Sequence, residues 1–321
     1  MMQVVVSAFM WLLTVVLIVT APRRRSQKIL IASALIACAS TLNIDDLYLA
    51  LDRLVGSRNV VTLIAELLLM TGIYFLSAAI IGAVRESDER QRFSSLIALT
   101  VTLVAITVSF VFIEMADSTT LFMVDYGDQL AAAIYSSVQY VYVIGVLGYT
   151  GAVVVGHLPA MASSGYKVGF GVVAVGCLAA VLLGLDVIAM NVVHVLGVEP
   201  LLAVLQAIYN PLYVAAMLFL CAGLAIVPLA GMARASSRRR RIVRLLSIVE
   251  DIWSRHVPEP SLPSVDGTDS EMRLHRMLVE IEDARLSPMP SPPLSNAERA
   301  VLSEAERYLR PVAEGALEGG R

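Results

Sequence analysis

Residues 60–84 read VVTLIAELLLMTGIYFLSAAIIGAV, and among them only Glu66 is charged at neutral pH. A helix of that length rises about 37 Å at 1.5 Å per residue, more than the roughly 30 Å of a bilayer's hydrocarbon core. In lipid, every backbone N–H and C=O has to be bonded within the chain, and a helix does this inside one segment. The stretch therefore predicts a transmembrane helix, and its neighbours repeat the pattern.

Outward from it, six more segments are apolar over comparable lengths: 2–21, 29–47, 94–116, 129–155, 168–190 and 204–230. The second is the shortest, because the clean run Ile29–Leu42 is followed by Asp45 and Asp46; without it the count falls to six. The first could be read as a signal peptide. Its basic residues Arg23, Arg24, Arg25 and Lys28 follow the apolar run instead of preceding it, and Pro22 follows the candidate cleavage site, so a first spanning helix fits better. The whole chain of 321 residues is 57% hydrophobic and 16% charged, against about a quarter charged in soluble domains. The expected fold is all-α: a seven-helix transmembrane domain over residues 1–231 and a small cytoplasmic helical domain over residues 232–321.

Basic residues of short loops stay on the cytoplasmic side. With seven spans, the inner joints hold Arg23, Arg24, Arg25, Lys28, Arg85, Arg90, Arg92 and Lys167, and the outer joints hold only Arg53 and Arg58. That bias predicts a plasma-membrane protein with its N-terminus outside and its tail in the cytoplasm. Arg234 and Arg238–Arg241, just past the last span, agree. The outer joints carry Asp45, Asp46, Asp52, Asp117, Asp125, Asp128 and Glu199, expected as solvated loop surface. Gly145, Gly148, Gly151, Gly165 and Gly169 predict close helix approach.

Net charge is –3, which gives no field to attract nucleic acid. Cys38, Cys177 and Cys221 lie in apolar runs without metal-ligand or disulfide spacing. The four histidines are scattered, and HExxH, GxSxG and phosphate-loop signatures are missing, so neither enzyme, metal nor cofactor is expected.

Ionisable groups within spans are costly and mark candidate functional sites. Glu66, Glu114 and Asp186 fall in the outer halves of their spans, with Gln139, Tyr135, Tyr140 and Tyr142 on the fifth span and Gln206, Tyr209 and Asn210 on the seventh. Pro211 removes a helix hydrogen bond and is expected to kink that span beside the site. Glu66, Glu114, Gln139, Asp186 and Asn210 thus predict an outward-facing polar pocket for ligand binding or transport. The competing reading has the acids bonded to neighbouring hydroxyls and the tyrosines forming an interfacial belt. Arg238, Arg239, Arg240 and Arg241 are candidates for membrane-lipid headgroups, beside a purely topological role.

From Arg234 onward the tail balances 14 arginines against 14 acids. Ile242, Leu245, Leu246, Val249, Ile252 and Trp253 recur at helical spacing, ending at a Pro258–Pro263 break. Leu274, Met277, Leu278 and Ile281 write a second helix. After a linker over Ser287–Pro293, Ser295 and Glu298 form a capping box that opens a third.

The stretch Leu245–Pro258 with Trp253 and Val257, then Leu262, and above all the run RLHRMLVEIEDA over residues 273–284 with Arg273, Arg276, Glu280 and Asp283, resembles a family of bacterial seven-helix membrane proteins. Those proteins end in a cytoplasmic domain of unknown function with an RLxRxxxEIxDA pattern and are catalogued as candidate transporters. Glu282 stands where the pattern tends to have arginine. The resemblance covers the last third of the chain and implies small-solute transport. The alternative is a membrane sensor or scaffold that binds an extracytoplasmic ligand and engages a cytoplasmic regulatory protein through its tail.

Overall fold

The computed structural model describes residues 2–20, 27–85, 89–115, 118–161, 164–257, 270–286 and 293–318. Arg23, Arg24, Arg25, Asp117, the Pro258–Pro263 break and most of the Ser287–Pro293 linker lie outside them. Every regular element among the described residues is helical. The chain divides into two compact units, Met1–Ala230 and Gly231–Arg321.

The first unit contains α1 (Met2–Thr20), α2 (Lys28–Leu42), α3 (Asp45–Leu54), α4 (Val60–Val84), α5 (Glu89–Val111), the single turn α6 (Phe122–Asp125), α7 (Leu130–His157), α8 (Ser164–Val195) and the first part of α9 (Glu199–His256). Five of these, α4, α5, α7, α8 and α9, are long and apolar enough to cross a membrane. The 29–47 segment is not one straight helix. It ends at Leu42, and α3 leaves at 84°, so the two make a sixth crossing only as a bent pair. The reason is local: Asp45 and Asp46 open α3 as first-turn acids at a helix N-terminus, where the dipole favours them. In α1 the apolar stretch Ser7–Ile18 is shorter than a full span.

Polar side chains inside these helices are mostly satisfied locally. Thr14, Thr71, Thr102, Thr107 and Thr150 each donate to the carbonyl four residues earlier. Others tie helices together: Thr41 bonds Ser7 and Trp11 across α1 and α2, and Ser77 bonds Thr150 across α4 and α7 at 2.7 Å.

Glycine sets the spacing of α8 and α9. A Cβ at Gly176 would stand 2.7 Å from the Leu220 backbone nitrogen, and one at Gly223 would stand 2.7 Å from that of Val173. Gly165 and Gly169 press on Ala230 and Val227 in the same way, as their spacing predicts. Gly151 packs on Cys177 and Gly148 touches Val181, whereas Gly145 faces open space.

The second unit has its own core. Leu245, Val249 and Ile252 of α9 meet Leu274, Met277, Leu278 and Ile281 of α10 (Ser270–Leu286), and Leu302 and Ala305 of α11 (Asn296–Glu318). The capping box forms: Ser295 N–H donates to Glu298 Oε2 at 2.7 Å, and Glu298 N–H donates to Ser295 Oγ at 3.2 Å.

Candidate functional site

Four helices of the first unit bring polar groups to one region. Glu66 on α4 is partly buried and lies within electrostatic reach of the phenols of Tyr135 and Tyr140 on α7 and of Tyr209 and Tyr213 on α9. Asp186 on α8 reaches Tyr209 as well. The Tyr140 and Tyr209 phenols interact electrostatically, and the Tyr209 and Tyr213 rings stack at 6.0 Å. The spacing explains this: Tyr209 and Tyr213 are four residues apart and lie on one face of α9.

Several of these groups are buried without a partner. Asp186 Oδ2, Gln139 Nε2, Tyr135 OH and Tyr142 OH have no hydrogen bond. Their residues are only 8%, 4%, 2% and 6% exposed. Tyr135 is held by ring contacts with Phe110 and Phe122 at 5.8 Å each. Neither Glu66 nor Asp186 forms a salt bridge among the described residues. An unsatisfied buried donor or acceptor costs about 1–3 kcal/mol, so such a concentration invites a ligand.

Other sequence candidates stand apart. α5 stops at Val111, short of the expected 116, and Glu114 is an exposed loop residue. The Gln129 side chain replaces the next helical turn: its Oε1 accepts from Glu114 N–H and its Nε2 donates to Glu114 C=O, both at 2.9 Å. Asn210, Gln206 and Pro211 are exposed on α9, which continues as helix past the proline. A large cleft of about 1500 Å³ does exist, but none of Glu66, Glu114, Gln139, Asp186 and Asn210 lines it. It lies between α4, α5, α7 and the end of α8, and Ser77, Ser137, Tyr142 and Asn191 are among its polar groups. Asn191 donates to Ser137 Oγ at 3.1 Å.

Sequence reasoning missed a second polar knot. Asp52, expected at a solvated surface, is fully buried. Its carboxylate accepts from Asn59 N–H at 2.8 Å, Val61 N–H at 3.2 Å and the Ser118 hydroxyl. Asn59 Oδ1 in turn accepts from Tyr48 OH at 2.6 Å and Thr119 N–H at 2.8 Å. Asn59 adopts φ 55°, a left-handed conformation that asparagine tolerates. The knot caps the start of α4. One signal was present: Tyr48 and Asp52 are four apart in an amphipathic helix and share its inner face.

In the tail, Glu280 is buried and accepts from Trp253 Nε1 at 2.6 Å and Arg276 Nε at 3.0 Å. Arg273 pairs with Glu250, while Asp283 is exposed. Arg238 pairs with Glu271 at 3.0 Å, and Arg241 pairs with Glu304 at 2.6 Å over the Tyr308 ring. Of the four arginines expected at lipid, two are thus engaged within the tail, and Arg239 and Arg240 are exposed.

Among the described residues no group of three His, Cys, Asp or Glu side chains could hold a metal ion. The carboxylates can exchange a proton or attract a cation, the phenols donate hydrogen bonds, and the amide does both. Fold and cluster define an all-α protein with several helices able to cross a bilayer and an acid–phenol cluster buried among them. No protein family matches the chain, and no curated protein or solved structure is significantly similar to it.

Proposed function

We propose that the chain is a plasma-membrane protein of seven crossings, N-terminus outside and tail in the cytoplasm, that transports a small cationic solute or proton through the cluster of Glu66, Tyr140, Asp186 and Tyr209. The seven crossings are α1, the bent pair α2–α3, α4, α5, α7, α8 and the first part of α9. One observation carries the functional reading: buried polar atoms from two helices, Tyr135 OH and Gln139 Nε2 on α7 and Asp186 Oδ2 on α8, lack partners, and neither Glu66 nor Asp186 has a salt bridge among the described residues. A carboxylate in a low-dielectric surrounding is stabilised by a cation or a proton, and this favours cationic cargo over an anion. The bias of basic loop residues supports a position for this cluster in the outer half of the membrane. Against the scaffold alternative, Arg276 and Glu280 of the tail motif bond within the tail's own core.

The test is current from the full chain in proteoliposomes on a solid-supported membrane, with concentration jumps of protons, sodium, potassium and tetraethylammonium. At least one jump is expected to give a current that Glu66→Gln and Asp186→Asn abolish while the protein stays monodisperse. Glu114→Gln and Asn210→Ala, both at exposed sites, are expected to leave it. Silence to every probe, or currents unchanged in Glu66→Gln and Asp186→Asn, overturns the proposal.

A further inference from the structure

The large cleft is lined by none of Glu66, Tyr140, Asp186 and Tyr209, and its chemistry is segregated along its length. At one end stand Lys28, Arg85, Arg90 and Arg92. Arg85 is the most constrained of them: its Nη2 donates to Tyr149 OH at 2.5 Å and to Gln91 Oε1 at 2.7 Å, and its guanidinium carbon lies 6.0 Å from the Tyr149 ring centre. Its Nε is buried and has no partner among the described residues. No acidic side chain lines the cleft among those residues.

Away from this end the walls are chiefly aliphatic, from Val101 and Ala105 on α5 to Val138 and Val141 on α7. The lining positions from Leu130 to Tyr149 span about 29 Å of helix, close to the thickness of a hydrocarbon core. Val101 and Val141 are 62% and 61% exposed, so the cleft is open sideways. Gly145 lines it, and a Cβ there would meet nothing within 4 Å. A water-soluble anion would find cations here but no use for a 29 Å apolar trough, and a neutral chain would find the trough but leave Arg85 Nε without an acceptor.

We propose that this cleft binds an anionic phospholipid, with its phosphate against Arg85 and the neighbouring basic residues and an acyl chain laid between α5 and α7. Guanidinium groups pair with phosphate through charge-assisted hydrogen bonds, and the unpartnered Nε of Arg85 supplies one donor. The proposal does not depend on what the acid–phenol cluster carries.

The test uses the full chain in phosphatidylcholine nanodiscs containing a minor fraction of phosphatidylglycerol whose acyl chain ends in a diazirine. After illumination, adducts are mapped by mass spectrometry. They are expected on cleft-facing residues of α5 and α7, and unlabelled phosphatidylglycerol should compete while phosphatidylcholine and inorganic phosphate do not. Arg85→Gln and Arg92→Gln should each weaken capture about fivefold. Gly145→Phe, which fills open space without disturbing a packed contact, should abolish the cleft adducts in a protein of unchanged melting temperature. Adducts scattered over all lipid-facing helices, competition by phosphatidylcholine or by inorganic phosphate, or capture unchanged in Gly145→Phe would overturn it. So would a dimer that Gly145→Phe dissociates, since a second copy would then occupy the cleft.

Discussion

Asp52 and Asp45 are seven residues apart in sequence and have opposite fates. Asp45 is exposed at the start of α3, while Asp52 is enclosed and holds three donors. Asp52→Ala should therefore cost roughly 3 kcal/mol and lower the melting midpoint, because it strands buried donors at the start of α4. Asp45→Ala should change stability by less than about 0.5 kcal/mol. Comparing thermal melts of the two variants in one detergent checks the contrast. In the tail, Glu280→Ala leaves Trp253 Nε1 and Arg276 without their shared acceptor, and a loss of about 3 kcal/mol is expected; Glu280→Gln keeps an oxygen for the indole and should cost less. With Trp11→Phe removing the other tryptophan, Trp253 emission reports the tail directly.

The same emission reads the tail's acid limit. A hydrogen bond from the Ser295 backbone, aided by its side chain, holds the Glu298 carboxyl below its ordinary 4.5, and a hydrogen bond from Arg241 does so for Glu304. Both folded values lie below the unfolded ones. The stability they contribute is complete above the unfolded value and disappears as pH falls through the lower folded value. Trp253 emission should stay constant from neutral pH down to about pH 5 and shift red only below that. A shift already complete between pH 7 and about pH 6 would contradict this assignment to the two carboxylates.

At the scale of elements, glycine sorts tight contacts from open ones. Gly223→Ala should force α8 and α9 apart and lower the melting midpoint by several degrees, whereas Gly145→Ala should be neutral or slightly stabilising. The helices themselves were legible because lipid demands long apolar runs, and 60–84 matches α4 residue for residue. Their ends were not. Nothing in the apolar run through Phe112 and Ile113 announces that α5 stops at Val111, since the stop depends on Gln129 from another part of the chain. The segment 29–47 reads as one span in sequence, and that α2 ends at Leu42 with an 84° turn after it needed the fold. Likewise, a sequence shows that Glu66, Asp186 and the tyrosines are polar and within spans, yet not that Asn210 faces outward from the unit while Tyr209 beside it faces in. That is a matter of 100° of helix rotation.

For the whole molecule, the proposed seven crossings require the two chain ends to lie on opposite sides of the bilayer. This holds only for an odd number of crossings, and α1 and the bent pair α2–α3 together decide whether the number is odd. Cells producing the chain with an N-terminal epitope and a C-terminal green fluorescent protein provide the direct measurement. Surface labelling of the N-terminal epitope on intact cells together with a fluorescent C-terminus is expected. Both ends on the same side would contradict it and remove α1 or the bent pair α2–α3 from the crossings, and a dark C-terminus would turn the acid–phenol cluster toward the cytoplasm.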